Sequence, residues 1–478
     1  MLIFQNALLI DGTGAPARTG SVAVDGERIV AVGEVSVGAG DTVIDLQGKA
    51  ISPGFIDSHT HDDGYLLVHR DMTPKVSQGI TSVVTGNCGI SLAPLVAKQV
   101  PQPLDLLGPP ELFRFERFAQ WMQALEATPS AVNVIPLVGH TTLRVKVMDN
   151  LQREATPQEC SQMRELLSEA LDEGAFGIST GTFYPPAKSA SLQELLKVCE
   201  SLRGRRAVYA THLRDEANEI VTAMEEALTV GREADCRVIF SHHKLAGERN
   251  HGRSVETLAL IEQASTTQPV CVDCHPYPAT STMLRLDRVR LARRTMITWS
   301  KSQPEAKGRD FADLQREWQL DDEATLARLV PAGAIYFLMA QDDVDRIFQF
   351  PLTMVGSDGL PFDPHPHPRQ WGTFTRVLKR MVRECGLLSL EEAIYRMTGL
   401  ASEQYGLAQR GKLKSGWFAD LVIFDQEQVA DAATFEDPMQ ISQGITQVWV
   451  NGQQVWADAH TTGAFPGKVL RRQEPVSA

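Results

Sequence analysis

The sequence is short of cysteine, of positive charge and of long apolar runs, and each shortage excludes something. Seven cysteines scattered over 478 residues do not make the dense set of a disulfide framework, and the odd count leaves at least one thiol unpaired. Cys271 and Cys274 form a C-x-x-C, but within the strand-like run VCVDCH positions i and i+3 point to opposite faces, which argues against a shared redox or zinc role. With 46 Lys and Arg against 59 Asp and Glu, the formal charge is −13. That sign is wrong for a nucleic-acid binder, which needs a basic surface; solubility is the simpler use of it. No run reaches the roughly 18 uncharged apolar residues of a membrane span. The opening MLIFQNALLIDGTG also lacks the basic start and cleavage site of a signal peptide. The expectation is a cytoplasmic protein with a small-molecule partner and neither nucleic acid nor membrane. The sequence carries no signal for an oligomeric state.

Low-complexity tracts are absent too, and 43% hydrophobic with 22% charged residues is the composition of a folded globular chain, not a disordered one. Its length exceeds what one core usually fills, so a large and a small domain are expected. LIFQNALLI, DGTGAP and SVAVDGERIVAVGE at the start read as short strands and turns, and GWFADLVIFD and GITQVWVNGQQVW near the end have the same texture. The two ends are expected to pair into one small β-sandwich domain, residues 1–54 and 411–478, with the remainder inserted between them.

Within that remainder, residues 55–410, eight apolar runs end in polar residues and alternate with helix-patterned stretches. They are ISPGFIDSHTH, GITSVVTGNC, NVIPLVGH, GAFGISTGT, AVYATH, RVIFSHH, PVCVDC and PLTMVGSD. Such alternation is that of an α/β parallel sheet, and eight repeats suit a (β/α)8 TIM-like barrel. TPQECSQMRELLSEALDEG shows the helical half, with Thr156 as cap, Pro157 in the first turn and Gly174 past the end. From about residue 276 to 345 the text turns Arg-rich and helix-leaning, RLDRVRLARRTMITWSKSQPEAKGRDFADLQREW, an excursion placed to form a lid.

Chemistry-bearing residues fall at the strand ends, where a (β/α)8 enzyme builds its active site. His59 and His61 in DSHTH are two apart, so on a strand both imidazoles share a face and make half of a tetrahedral zinc set. Cys88 follows the second run in VVTGNCG, with Gly86 and Gly89 permitting the turn that swings the thiol inward. His212 ends AVYATH. Of the adjacent pair in RVIFSHH, His242 continues the strand pattern and His243 faces the barrel wall. Asp358 in MVGSDG is placed to take a proton from water and hand it to a leaving amine. Singly, each has a bland reading: a surface H-x-H, an inert thiol, good turn chemistry in SDG. Together they predict a zinc site, since zinc lowers the pKa of bound water to about 7 and polarises a carbonyl, as amide hydrolysis requires.

GFIDSHTH, VDGERIVAVG and the late GSDG resemble the amidohydrolase superfamily over nearly the whole chain. Within it, HTHDDGYLLVHRDMTPKVSQGITSVVTGNCGISLAP, SHHK, PAGAIYF and VGSDGLPFDPHPHPRQWGTF resemble the D-aminoacylases, or N-acyl-D-amino-acid deacylases. Cysteine in place of a carboxylated lysine is a mark of that group. The resemblance implies one tight zinc on Cys88, His212 and His242, and a weaker second position on His59 and His61 that Cys88 bridges. It implies Asp358 as general acid/base, and Lys244, Ser281 and Arg369 around the substrate carboxylate, where a guanidinium fork suits a bidentate partner. One departure stands out: D-aminoacylases read D-x-Y-P-Y where this chain reads DCHPY, so His275 replaces a carboxylate-holding tyrosine. Imidazole can donate a similar bond, with shorter reach and its own titration.

Two further readings compete. A cyclic-amide hydrolase of the hydantoinase or dihydroorotase type would carry a lysine where Cys88 stands, and a non-catalytic barrel would lack a ligand. As to substrate, Arg285, Arg288, Arg290, Arg293 and Arg294 would suit an N-acyl-D-glutamate or N-acyl-D-aspartate, although such a run more often forms a solvated helix face.

Overall fold

The computed structural model describes residues 1–473; residues 474–478, the end of the expected C-terminal β segment, lie outside the described residues. Eight strands form the central sheet: β1 (Phe55–Asp57), β2 (Ile80–Thr85), β3 (Asn133–Gly139), β4 (Gly177–Gly181), β5 (Val208–His212), β6 (Arg237–Phe240), β7 (Val270–Cys274) and β8 (Thr353–Val355). They lie in sequence order and every neighbouring pair is parallel. Each of the eight runs expected from the sequence contains one of them. β1 and β8 meet through a parallel bridge between Thr60 and Gly359. Ser58 N–H donates to the Val355 carbonyl at 3.2 Å and Asp358 N–H to that of His59 at 2.8 Å, and the barrel is closed.

Alternation along each strand sorts side chains between two apolar clusters. Ile56, Val84, Ile135, Ala210, Ile239, Cys271 and Met354 share one cluster inside the barrel. Val83, Val134, Tyr209, Val238, Val272 and Cys274 pack into the larger one beneath the helices. Cys271 and Cys274 therefore sit in different clusters, and none of the seven cysteines is in a disulfide. The surrounding helices begin as the sequence indicates. Pro157–Asp172 is capped by Thr156, whose N–H donates to Glu159 Oε2 at 2.8 Å while its hydroxyl accepts from Glu159 N–H at 3.3 Å.

Both chain ends share one nine-stranded sheet around its own apolar cluster. The joint is the antiparallel pair Ala50–Pro53 with Leu421–Phe424. Between β7 and β8 the helix-leaning expectation holds for Leu286–Leu291, Phe311–Trp318 and Asp322–Leu329, which are helices, and fails where a sheet forms. Thr280–Met283, Arg294–Ser300 and Ala332–Phe337 form a three-stranded antiparallel sheet, with the helix Leu286–Leu291 between the first two strands. The β-branched and aromatic stretch TMITW pairs with AGAIYF, and that pairing overrides the helical preference of the surrounding arginines.

A buried ion cluster lies in the outer layer: Glu194 accepts from Arg144 at 2.5 Å and meets His140 at 3.0 Å, all three buried. Glu194→Ala would strand the Arg144 charge and is expected to destabilise the fold by about 3–5 kcal/mol in urea titration. Burial acts to raise the Glu194 carboxyl, but His140 and Arg144 hold it at about 2, below the ordinary 4.5. Its contribution is complete above pH 4.5 and is lost as pH falls through 2. The wild-type advantage over Glu194→Gln should therefore shrink across that window.

Candidate metal and active site

The strand ends converge on one buried cluster. His59 and His61 follow β1, Cys88 follows β2, His212 ends β5, His242 follows β6 and Asp358 follows β8. Ligand atoms of His59, Cys88, His242 and Asp358 all lie within 4.8 Å of one another. Cys88 Sγ is 3.3 Å from His59 Nε2 and 3.2 Å from His242 Nε2. His61 Nε2 is 3.2 Å and His59 Nε2 3.6 Å from Asp358 Oδ1. His212 groups with His242 and Glu216, so His242 is common to both groups. His243 turns away, its Nε2 2.9 Å from Thr257 Oγ1 on an outer helix.

Sharp strand-end turns aim these groups inward. Cys88, His242 and Asp358 hold positive φ of 52°, 37° and 50°, a conformation that costs a non-glycine residue about 1–3 kcal/mol and gathers at functional sites. The two glycines flanking Cys88 have no alternative: a Cβ on Gly86 would come 2.0 Å from the Leu137 carbonyl oxygen, and one on Gly89 2.7 Å from Gly181 N.

Two carboxylates that sequence reasoning missed stand behind the imidazoles. Asp273 Oδ2 lies 3.3 Å from His59 Nδ1, and its Oδ1 accepts from His242 N–H at 2.7 Å. Glu216 Oε1 lies 3.3 Å from His242 Nδ1 and 3.5 Å from His212 Nε2. A carboxylate behind the far ring nitrogen is the arrangement that orients a metal-binding histidine. Glu216 also accepts from Lys244 at 2.6 Å and from Arg288 at 3.2 Å. Its one sequence cue is its place four residues after the strand-end His212. Lys244 is buried, not a solvated surface charge, and its Nζ lies 2.6 Å from His242 Nδ1 beside the Glu216 carboxylate that both face.

Arg369 is fully buried, its guanidinium 2.9 Å from Asp358 Oδ2. It donates to His275 Nε2 at 3.1 Å, to Thr280 Oγ1 at 3.2 Å and to the Ser281 carbonyl at 3.1 Å. His275 therefore accepts through Nε2, and cannot offer that nitrogen as the donor the sequence reading allowed it. Burial and then Arg369 press its pKa well below the ordinary value, so the ring is neutral. Ser281 Oγ is turned to the Ala334 carbonyl at 3.2 Å. The arginine run divides. Arg290 and Arg294 pair with acidic residues of the covering segment, whereas Arg288 is buried, lines the cavity and lies over Phe183 at 4.2 Å. For Arg288 the solvated-face expectation is corrected: the helix lies over the barrel mouth.

Burial alone would raise the Cys88 thiol, but His242 and His59 hold it well below the ordinary range, in the thiolate form that binds metal. Asp358 is likewise opposed by burial and held ionised by Arg369, then His242 and His61. A thiolate, imidazoles and a carboxylate are the donors zinc accepts. Neither ring nitrogen of buried His212 makes a hydrogen bond among the described residues. The donor set fits a metal. Beside it lies a cavity of about 20 Å³, lined by Cys88, Phe183, Tyr184, His212, Lys244, Thr280, Ser281, Thr282, Arg288 and Asp358 among others.

The profile of the amidohydrolase family matches residues 42–250 and 283–456. The chain belongs to the amidohydrolase family. Along 98% of its length it is 68% identical to N-acyl-D-aspartate deacylase of Alcaligenes xylosoxydans xylosoxydans, of which it covers 94%. A D-aminoacylase solved for the role of its binuclear metal centre, with one-metal activation and second-metal attenuation, superposes at a TM-score of 0.96 with 54% identity, over 98% of this chain and 99% of that one. N-acyl-D-glutamate deacylase from Bordetella bronchiseptica, solved with zinc and a phosphonate mimic of the tetrahedral intermediate, superposes at 0.94 with 43% identity, over 98% and 99%. Dihydropyrimidinase from Brevibacillus agri superposes at a TM-score of 0.61 over 100% of this chain and 99% of that one, but at 16% identity that likeness shows the fold alone.

The adjacent histidines separate the site from its support. His242→Ala is expected to abolish turnover. His243→Ala should leave turnover within about twofold and cost about 0.5–1.5 kcal/mol through the lost bond to Thr257, whose hydroxyl keeps the Ser254 carbonyl at 3.4 Å. Steady-state rates and thermal unfolding of the two variants check this.

Proposed function

We propose that this amidohydrolase cleaves N-acyl-D-amino acids to a carboxylate and a free D-amino acid, with zinc as its metal. The observation that carries the reading is the convergence of Cys88, His59, His242 and Asp358 within 4.8 Å, beside a cavity walled by cationic side chains. Cys88, His212 and His242 would hold the tight ion, and His59 and His61, with Cys88, would offer the weaker position. When bound, zinc polarises the acyl carbonyl and lowers the pKa of water to about 7. Asp358 takes the proton of the attacking water and returns it to the leaving nitrogen. Arg369, Lys244 and Ser281 hold the substrate carboxylate, and His275 orients Arg369 instead of touching substrate. In this reading residues 55–410 carry the chemistry, 276–345 cover it, and 1–54 with 411–478 form the small β domain.

A preference for acidic side chains is favoured by Arg288, which brings a buried guanidinium into the cavity wall. The N-acyl-D-aspartate deacylase likeness supports the same preference.

The test is hydrolysis of paired N-acetyl-D- and N-acetyl-L-amino acids carrying Asp, Glu, Met, Leu and Phe side chains, with zinc measured on the same preparation. D-only turnover led by Asp or Glu is expected, and Arg288→Met should lower kcat/KM for the acidic substrates by at least about tenfold more than for Leu, a difference of about 1.4 kcal/mol. Ring opening of cyclic amides without deacylation would overturn the reading. Asp358→Asn should lose at least about a hundredfold in kcat with zinc retained, whereas Cys88→Ala should lose tight zinc along with activity. Wild-type turnover in the first variant, or normal zinc content in the second, removes that residue from its role.

A further inference from the structure

The groups assigned above to the weaker metal position and to proton transfer lie on opposite sides of one seam. His59 and His61 extend from β1 and Asp358 from β8. Seven of the barrel's neighbouring strand pairs are joined by ladders, but among the described residues β1 and β8 share no ladder, only the bridge between Thr60 and Gly359 and the backbone bonds from Ser58 and Asp358. The register between the histidines and the carboxylate therefore has few backbone bonds of its own, and side chains add to them.

A buried lysine stands at that seam. Lys75, in the short helix Thr73–Val76, is wholly inaccessible, as are Asp57, Asp62 and Ser357. Its ammonium donates to Asp57 Oδ2 and Ser357 Oγ at 2.9 Å each and lies 3.2 Å from Asp62 Oδ2. Asp57 ends β1, Asp62 follows His61, and Ser357 precedes Asp358. Asp57 Oδ1 in turn accepts from Ser357 N–H at 2.8 Å. A buried ion cluster is weak evidence for stability, since a well-packed apolar side chain often serves as well. The position of this one accounts for it better: three contacts from one ammonium tie both flanks of the histidine pair to the residue beside Asp358.

We infer that Lys75 is a positioning residue for the reaction, fixing His59 and His61 against Asp358 across the β1–β8 seam without touching substrate. The inference rests on the proposed roles of those three residues. A misplacement of about 1 Å in such a constellation costs about 100-fold in rate, and loss of an outer partner typically weakens a metal about 10–100-fold.

The test compares Lys75→Met, Lys75→Arg and Ser357→Ala with wild type, using the N-acetyl-D-amino acid the wild type hydrolyses fastest and a zinc titration of each protein. Lys75→Met should lower kcat about 100-fold with KM unchanged within about twofold. It should keep the first zinc equivalent and bind the second at least about tenfold more weakly. Lys75→Arg should recover part of the loss, and Ser357→Ala, which removes one contact and no charge, should show the same pattern at about tenfold. If Lys75→Met does not fold, Ser357→Ala decides. Wild-type kcat and second-zinc affinity in the folded variants, or a raised KM at unchanged kcat, would overturn the inference. An inactive wild type would instead sink the deacylase reading, and the second-zinc affinity would then judge Lys75 alone.

Discussion

The barrel has to close between β1 and β8, because the groups that face each other across that junction come from opposite ends of the catalytic segment. Asp358 reaches His61 at 3.2 Å only when the first and last strands are in register. That register is held by backbone bonds from Ser58 and Asp358 and by side chains inaccessible to water. Close packing everywhere else in the barrel is the means by which a junction with little ladder of its own stays in place.

Closure brings a second requirement, charge balance in a space that excludes water. A thiolate at Cys88 and carboxylates at Asp358, Glu216 and Asp273 sit among Lys244, Arg288, Arg369 and imidazoles, all buried. Each charge is stable only while its partner is held, since an unpaired buried ion is costly. Glu216 shows how tightly the compensation is shared. Burial opposes its ionisation, yet His212 and Lys244 hold its carboxyl well below the ordinary range. One carboxylate thereby anchors both cations of the cavity wall and backs two histidines of the cluster, so a change at any member is felt by the rest.

How far the sequence reveals this depends on whether a residue's role follows from local periodicity. The two-residue spacing of His59 and His61 places both on one face of a strand, and alternation separates His242 from His243, whose ring goes to Thr257. All eight barrel strands were legible because runs buried on both faces read as continuous apolar segments. Glu216, Asp273 and Lys75 were not, because each also serves a partner far along the chain: His242 for Glu216, His59, 214 residues away, for Asp273, and Ser357, 282 residues away, for Lys75. The arginine-rich cover was misread where pairing with AGAIYF decides. Arg288 looked no different from Arg290 until the helix Leu286–Leu291 was seated over the mouth. His275 was recognised as a departure, but its bond direction is set by Arg369, which no spacing encodes.

The same cover fixes how the site is used. The segment covering the site supplies part of the cavity wall, through Thr280, Ser281, Thr282, Arg288 and Tyr336. Arg288 lies on that segment, and it bonds Glu216 on one side while stacking over Phe183, whose ring meets that of His212 at 5.2 Å. Any opening of this segment would part Arg288 from Glu216, at the expense of a buried ion pair, and closing over a bound carboxylate would restore a partner for the guanidinium. The closed state excludes water and strengthens every charge interaction inside it. The cover is therefore part of the electrostatic balance as well as a steric barrier, and a substrate that leaves Arg288 unpaired would close it less favourably than one that supplies a second carboxylate.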